Sequence, residues 1–135
     1  MLHKDLTEKI IAACFDVSNE LGAGFLESVY EKALLIALSD RGVVAQAQVP
    51  LQVRFRNQVV GDYYADIVVE NMILLELKAV KALAPEHQAQ TINYLKATGI
   101  EVGLLVNFGN PKLEYRRFHR QKANGEGEEI TQTVF

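Results

Sequence analysis

The stretch Ile73-Leu74-Leu75-Glu76-Leu77-Lys78-Ala79 sets two charged side chains into an otherwise apolar run. On a strand, residues two apart leave the same face, so Glu76 and Lys78 share one face while Leu75 and Leu77 take the other. A carboxylate and an ammonium in so apolar a segment are costly unless paired, hydrated or bound to a metal ion. Just upstream, Tyr64-Ala65-Asp66-Ile67-Val68-Val69 carries a second lone acid in an apolar run. Register decides whether these acids meet. A two-residue turn at Glu70-Asn71 puts Asp66 opposite Leu75, with Asp66 and Glu76 on different faces. A three-residue turn, Glu70-Asn71-Met72, pairs Val69 with Ile73 and sets Asp66 directly across from Glu76. Asn71 tolerates the left-handed angles of such a turn, so the second register is the one expected.

In that register Asp66, Glu76 and Lys78 form one cluster. Two carboxylates so close raise each other's pKa unless a cation lies between them. Oxygen ligands of this kind suit Mg²⁺ or Mn²⁺. Lys78 is then placed to orient or deprotonate a water, or to stabilise charge developing on a phosphate. The plainer alternative is a buried ion pair, Glu76–Lys78 or Asp66–Lys78, with no chemistry.

Such a cluster needs a frame. Leu6, Ile10, Cys14, Val17 and Leu21 recur at steps of three and four, which predicts a helix that Gly22-Ala23-Gly24 breaks. A second helix follows, with Leu26, Val29, Ala33, Ile36 and Ala37 on its apolar side, ending near Asp40-Arg41-Gly42. Beyond Gly42 the period becomes two: Val49, Leu51, Val53 and Phe55 alternate with Pro50, Gln52, Arg54 and Arg56. Asn57-Gln58 is the expected hairpin turn, and Val59–Val69 and Met72–Ala79 are two further strands. Pro85 opens a third helix that runs toward Ala97 and stops at Gly99. Glu101–Asn107 and Leu113–His119 are the last two strands. Residues 1–122 thus read as a single α/β domain, a mixed central sheet flanked by helices. Residues 123–135, rich in Gly and Glu, are expected to form a mobile C-terminal tail.

With 49% hydrophobic and 23% charged residues over 135 positions, the chain is globular and large enough for one core without staples. One cysteine, Cys14, excludes an internal disulfide and a multi-cysteine zinc site. His3, His87 and His119 lack the spacing of a metal set. No glycine-rich phosphate loop follows a strand, which disfavours nucleotide hydrolysis and dinucleotide redox chemistry. No apolar run reaches the ~18 residues of a membrane span, and the start of the chain turns charged at once, so a cytoplasmic protein is expected.

Three elements around the acids sharpen the reading. Asp66 followed by Glu76-Leu77-Lys78 at the end of a hairpin resembles the active-site signature of the PD-(D/E)XK nuclease superfamily. Ala65 stands at the proline position of that signature. Gly24-Phe25-Leu26-Glu27-Ser28-Val29-Tyr30 resembles the signature of the small GxxExxY proteins, a branch of the superfamily. Gln90-Thr91-Ile92-Asn93-Tyr94 is similar to the Q-x-x-x-Y element of its exonuclease-like branches. The resemblance spans residues 5 to 120 and implies a restriction-endonuclease-like core of order αβββαβ.

The resemblance also implies roles. Asp66 and Glu76 would ligate a divalent ion, Mg²⁺ or Mn²⁺, with Glu27 completing the site from a helix. Lys78 would be the catalytic lysine, and Gln90 and Tyr94 would steady the site or contact the phosphate. The implied activity is metal-dependent hydrolysis of nucleic acid, DNA more than RNA, with a second copy or a partner protein helping so small a domain. A net charge of −3 argues against coating nucleic acid by bulk charge, which leaves local patches. Arg116, Arg117 and Arg120, interleaved with Tyr115 and Phe118, are candidate nucleic-acid contacts, as is Tyr30. A binding module without catalysis and an inert domain with a buried ion pair are the rival readings.

Overall fold

Helix α1 (Lys4–Leu21) buries Ile10, Ala13, Cys14 and Val17, the face that the three-four spacing marks. Burial pushes the Cys14 thiol up to about 12, so it is an inert packing group. Gly22, at φ 72°, ends the helix in a conformation that side chains avoid. Helix α2 (Glu27–Asp40) buries Tyr30, Leu34 and Leu38. That departs from the expected face: Leu26 and Ile36 are 77% and 65% exposed. The helix carries apolar residues on two sides, and the sheet takes the side that holds the larger Tyr30 ring.

The computed structural model describes residues 1–122 and 128–133. After α2 come β1 (Ala45–Phe55), β2 (Gln58–Val69), β3 (Ile73–Lys78), α3 (Pro85–Thr98), β4 (Val102–Asn107), β5 (Glu114–Lys122) and β6 (Glu128–Gln132). The six strands lie in chain order across one sheet. Every neighbouring pair is antiparallel except β3 and β4. That parallel pair needs a crossover, and α3 supplies it. The α3 ends follow their sequence signals, with Pro85 at the start and Gly99 at φ 75° at the stop. The ring of His87 accepts the Ala84 N–H at 2.9 Å through Nδ1, which closes the first turn.

Two apolar cores lie on the two faces of the sheet. Ile73, Leu75 and Leu77 pack with α1 and α2, whereas Leu74 packs with Tyr94 and Leu95 of α3. The alternation along β3 therefore sends Glu76 and Lys78 to the α3 face, the one Leu74 occupies. The hairpin turn between β1 and β2 falls at Arg56-Asn57, φ 50° and 64°, one residue before the expected place.

A further correction concerns the tail: residues 128–132 form β6, paired with β5. Its Ile130 packs against the α3-side core, and the Thr133 N–H donates to the Arg117 carbonyl at 2.7 Å. One half-buried anchor together with pairing to β5 outweighs the glycine-rich approach to it. Residues 123–127 and 134–135 of the expected tail lie outside the described residues.

The loop that leaves β3 is clamped beside Lys78. The Phe108 N–H donates to the Lys78 carbonyl at 2.8 Å. The buried Asn107 amide accepts the Val80 N–H at 3.0 Å and donates to the Val80 carbonyl at 2.9 Å. Gly109 presses on the same peptide, and a Cβ there would stand 2.0 Å from the Val80 carbonyl oxygen. Asn107→Ala strands buried polar groups and is expected to cost about 2–4 kcal/mol of stability. Gly109→Ala is expected to cost about as much by overlap. Urea unfolding measures both, and losses under about 1 kcal/mol would show a loop that adapts.

Candidate active site

Main-chain bonds pair β2 with β3 only near their turn, at Val69–Ile73, Val68–Leu74 and Ile67–Leu75. This is the register expected of the three-residue connection, and Glu70 and Asn71 supply its left-handed angles, φ 51° and 57°. Beyond Ile67 the carboxylates take over from main-chain carbonyls. The Asp66 N–H donates to Glu76 Oε2 at 2.9 Å. The Leu77 N–H donates to Asp66 Oδ2 at 2.8 Å. Each acid is thereby pinned to the opposite strand by an amide hydrogen bond.

On the other side of Asp66, the β1–β2 register runs from Ala47–Ile67 to Val49–Ala65 and so leaves Gln48 facing Asp66. Gln48 has φ 52°, an uncommon angle for a residue with a side chain. The pleat changes phase here. Ile67 and Val69 enter the α1–α2 core, whereas Ala65, two residues before Ile67, enters the α3 core. The Gln48 amide donates to Glu31 Oε1 at 2.7 Å and also hydrogen-bonds Asp66, which favours its charged form.

Burial dominates the electrostatics. Glu76, 3% exposed, has its carboxyl raised from 4.5 to about 8, first by burial and then by the Asp66 charge. Asp66 is also raised, first by burial; the Leu77 N–H opposes this, Glu27 adds to it, and Lys78 and Gln48 counter it. The Lys78 charge thus favours the ionised form of both acids. Among the described residues the ion pairs are His3–Glu101, Arg41–Asp16 and Arg116–Glu114, so Lys78 makes no direct pair with either acid. The contact between the two carboxyl groups also favours the protonated form of Glu76.

The helices bring the rest. Glu27 is exposed in the first turn of α2, and its charge reaches Asp66. Tyr94 of α3 is nearly buried, and burial followed by the nearby Glu76 and Asp66 charges raises its hydroxyl against the Gln90 bond. The Gln90 amide donates to Tyr94 Oη at 3.0 Å. Asp66, Glu76 and Lys78 therefore sit together, with Glu27 approaching from α2 and the Gln90–Tyr94 pair from α3.

Among the described residues no three His, Cys, Asp or Glu side chains converge as a full ligand set. Asp66 and Glu76 nonetheless suit Mg²⁺ or Mn²⁺, because such ions keep several waters and need one or two carboxylates. Each acid's charge disfavours ionisation of the other, which marks a place where positive charge is wanted.

Several expected contacts take other roles. Tyr30 is fully buried, its ring stacked on Phe108 at 4.8 Å. Its hydroxyl donates to the Gly22 carbonyl at 2.6 Å and accepts the Phe25 N–H at 3.2 Å, so it braces the turn before α2. Strand alternation divides the arginines between the two faces of β5. Arg117 is 1% exposed and donates to the Leu2 carbonyl and the Thr133 hydroxyl. Arg120 donates to the Ile100 and Leu95 carbonyls at the end of α3, where a cation suits the helix dipole. Arg116 pairs with Glu114 at 3.5 Å. Arg117 and Arg120 are thus tied to the main chain, and Arg116 lies on the opposite face from Arg117.

Two site residues have little signal in the sequence. Glu31 lies four residues after Glu27 and so shares its helix face, a spacing that could have flagged it. Gln48 could not be found this way, since nothing in its type announces a left-handed backbone.

Comparison with known proteins bears on the family and the fold. A family model for the PD-(D/E)XK nuclease superfamily matches residues 4–118. Among solved structures, the crystal structure of SSO0001 matches 87% of this chain with a TM-score of 0.55 and 18% sequence identity. The chain spans 59% of the length of that one, and the likeness is one of fold. A search of curated proteins gives no match.

The raised Glu76 carboxyl makes a pH prediction. Folding favours its protonated form, so this stabilisation is complete below 4.5 and is lost as pH rises through about 8. The raised Asp66 carboxyl acts in the same direction. Metal-free protein should therefore melt lower at alkaline pH, and Glu76→Gln, a mimic of the protonated acid, should flatten the profile. Melting curves at about pH 6 and pH 9 should show wild type losing about 3–6 °C more than the variant. Parallel profiles would mean that Glu76 is already ionised at neutral pH.

Proposed function

Because this chain belongs to the PD-(D/E)XK nuclease superfamily, we propose that it is a divalent-metal-dependent phosphodiesterase acting on nucleic acid, with DNA the preferred substrate. The observation that carries this reading is the pinned pair of acids, Asp66 and Glu76, with the unpaired Lys78 beside them. A structural ion pair would set Lys78 directly against a carboxylate. The segment from Gly24 to Tyr30 supports placement in the GxxExxY branch. No helix among the described residues is long and apolar enough to cross a membrane, and a cytoplasmic setting fits a nuclease of this kind.

In this proposal Asp66 and Glu76 hold Mg²⁺ or Mn²⁺, and Glu27 approaches from α2. The ion, when bound, supplies acidity to an attacking water and positive charge at the phosphate. The backbone amides of Asp66 and Leu77 keep the two carboxylates from swinging away. Lys78 orients the water and stabilises negative charge growing on the phosphate. Tyr94, its hydroxyl fixed by Gln90, offers a donor to a phosphate oxygen.

The test is calorimetric titration with Mn²⁺ and Mg²⁺, followed by incubation with labelled single- and double-stranded DNA and RNA. Asp66→Asn should weaken metal binding by at least about tenfold and abolish cleavage. Lys78→Met should keep the metal and lose about a hundredfold or more in rate, as removal of a charge-stabilising or proton-handling group does. Metal binding without cleavage would favour a binding module on the same fold, and no site-dependent binding would sink the proposal.

A further inference from the structure

The outer part of the β1–β2 hairpin has no third strand. β3 pairs only with residues Ile67 to Val69 of β2, so residues 52–64 run on past it, and Gln52, Val53, Arg54 and Tyr63 face α3. Between hairpin and helix is an open groove of about 970 Å³. Its walls include Arg54 and Tyr63 on the hairpin, and Gln90, Asn93, Tyr94 and Lys96 on α3. Gln90 and Tyr94 also border the acid site, so the groove adjoins it.

The groove holds an aromatic surface already in position. The Tyr63 and Tyr94 rings are 5.8 Å apart and tilted by 44°, and Tyr63 is still 46% exposed. Its ring folds across Gly61 on the same strand, where an added Cβ would stand 2.8 Å from ring Cε2. Arg54 and Lys96 bring positive charge from the two walls, and Glu86 brings one negative charge at the start of α3.

We propose that this groove takes a single strand of nucleic acid, with a base stacked on Tyr63 and the backbone phosphates held by Arg54 and Lys96. The strand leads its phosphate past Gln90 and Tyr94 toward Asp66 and Glu76, so the proposal rests on the phosphodiesterase reading. A duplex covers both faces of each base with its neighbours and has none to lay on a side chain, whereas a single strand does. Stacking on one ring with two flanking cations is tolerant of sequence, and the groove accepts a strand by its backbone and its base faces.

The experiment uses the full chain in EDTA, where no metal-dependent cleavage competes, and follows the anisotropy of a labelled thymidine strand of about 15 nucleotides. A duplex of the same length is the comparison. The strand should bind more tightly than the duplex, and Tyr63→Leu should weaken it about tenfold, the usual loss for one stacking side chain. Arg54→Ala, whose side chain bonds only Gln52 on the exposed hairpin, should lower the slope of log affinity against log salt by about 0.7. It also serves as the second variant if Tyr63→Leu fails to fold in a thermal melt.

No binding of the strand by wild type, equal binding of strand and duplex, or wild-type affinity in both variants would overturn the proposal. Asp66→Asn separates the two readings, since it should keep strand binding and lose cleavage. Cleavage in Mn²⁺ that ignores Tyr63→Leu would sink the groove alone. Groove-dependent binding without any metal-dependent cleavage would sink the phosphodiesterase reading alone.

Discussion

Two bonds between amides and carboxylates govern this molecule: the Asp66 N–H on Glu76 and the Leu77 N–H on Asp66. In an ordinary antiparallel ladder consecutive pairs alternate, so only one of those two amides would face a carbonyl of the partner strand. Here side chains accept both, and the main-chain ladder ends at Ile67. Because β3 itself ends at Lys78, the rest of the hairpin overhangs with a groove beneath it. The phase change of the pleat at Gln48 and Asp66 is the matching adjustment on β1. One local exchange of acceptors joins two strands at the point where the acids stand.

That exchange is unfavourable on its own terms. Two acids are brought together in a half-dry setting, and both titrate upward because burial favours their neutral forms. The surrounding elements are unusually well determined by comparison. β4 is buried along its whole length, and the loop after Lys78 is fixed by Asn107 and abuts Gly109. A rigid frame lets a costly cluster persist, and clusters that break the rules of packing in an otherwise consistent fold are where function is expected.

Most of this frame is legible in the residues. The β2–β3 register could be read because one shift reverses every side chain, and only one register joins Asp66 with Glu76. The third helix announced itself by Pro85 and Gly99, whose backbone preferences are nearly deterministic. Other features depend on three-dimensional competition. Helix α2 has two apolar sides, and periodicity cannot say which one meets the sheet. The arginines of β5 look like one patch in a line of text but divide between opposite faces once the strand forms. β6 hides behind a polar, glycine-rich approach, and its pairing is earned by contacts with β5 that no local pattern encodes.

The left-handed backbone at Gln48 has an effect far from chemistry. β1 is the outermost strand on its side of the sheet, and such a strand is a template on which another chain can grow β-structure. Gln48 turns one peptide out of line, and two residues later Pro50 contributes no N–H at all. The row of free donors is broken near its middle, so an incoming strand finds no long stretch of edge to copy. The same departure from regular pleating that lets Gln48 reach Asp66 also protects the protein from aggregation by strand addition.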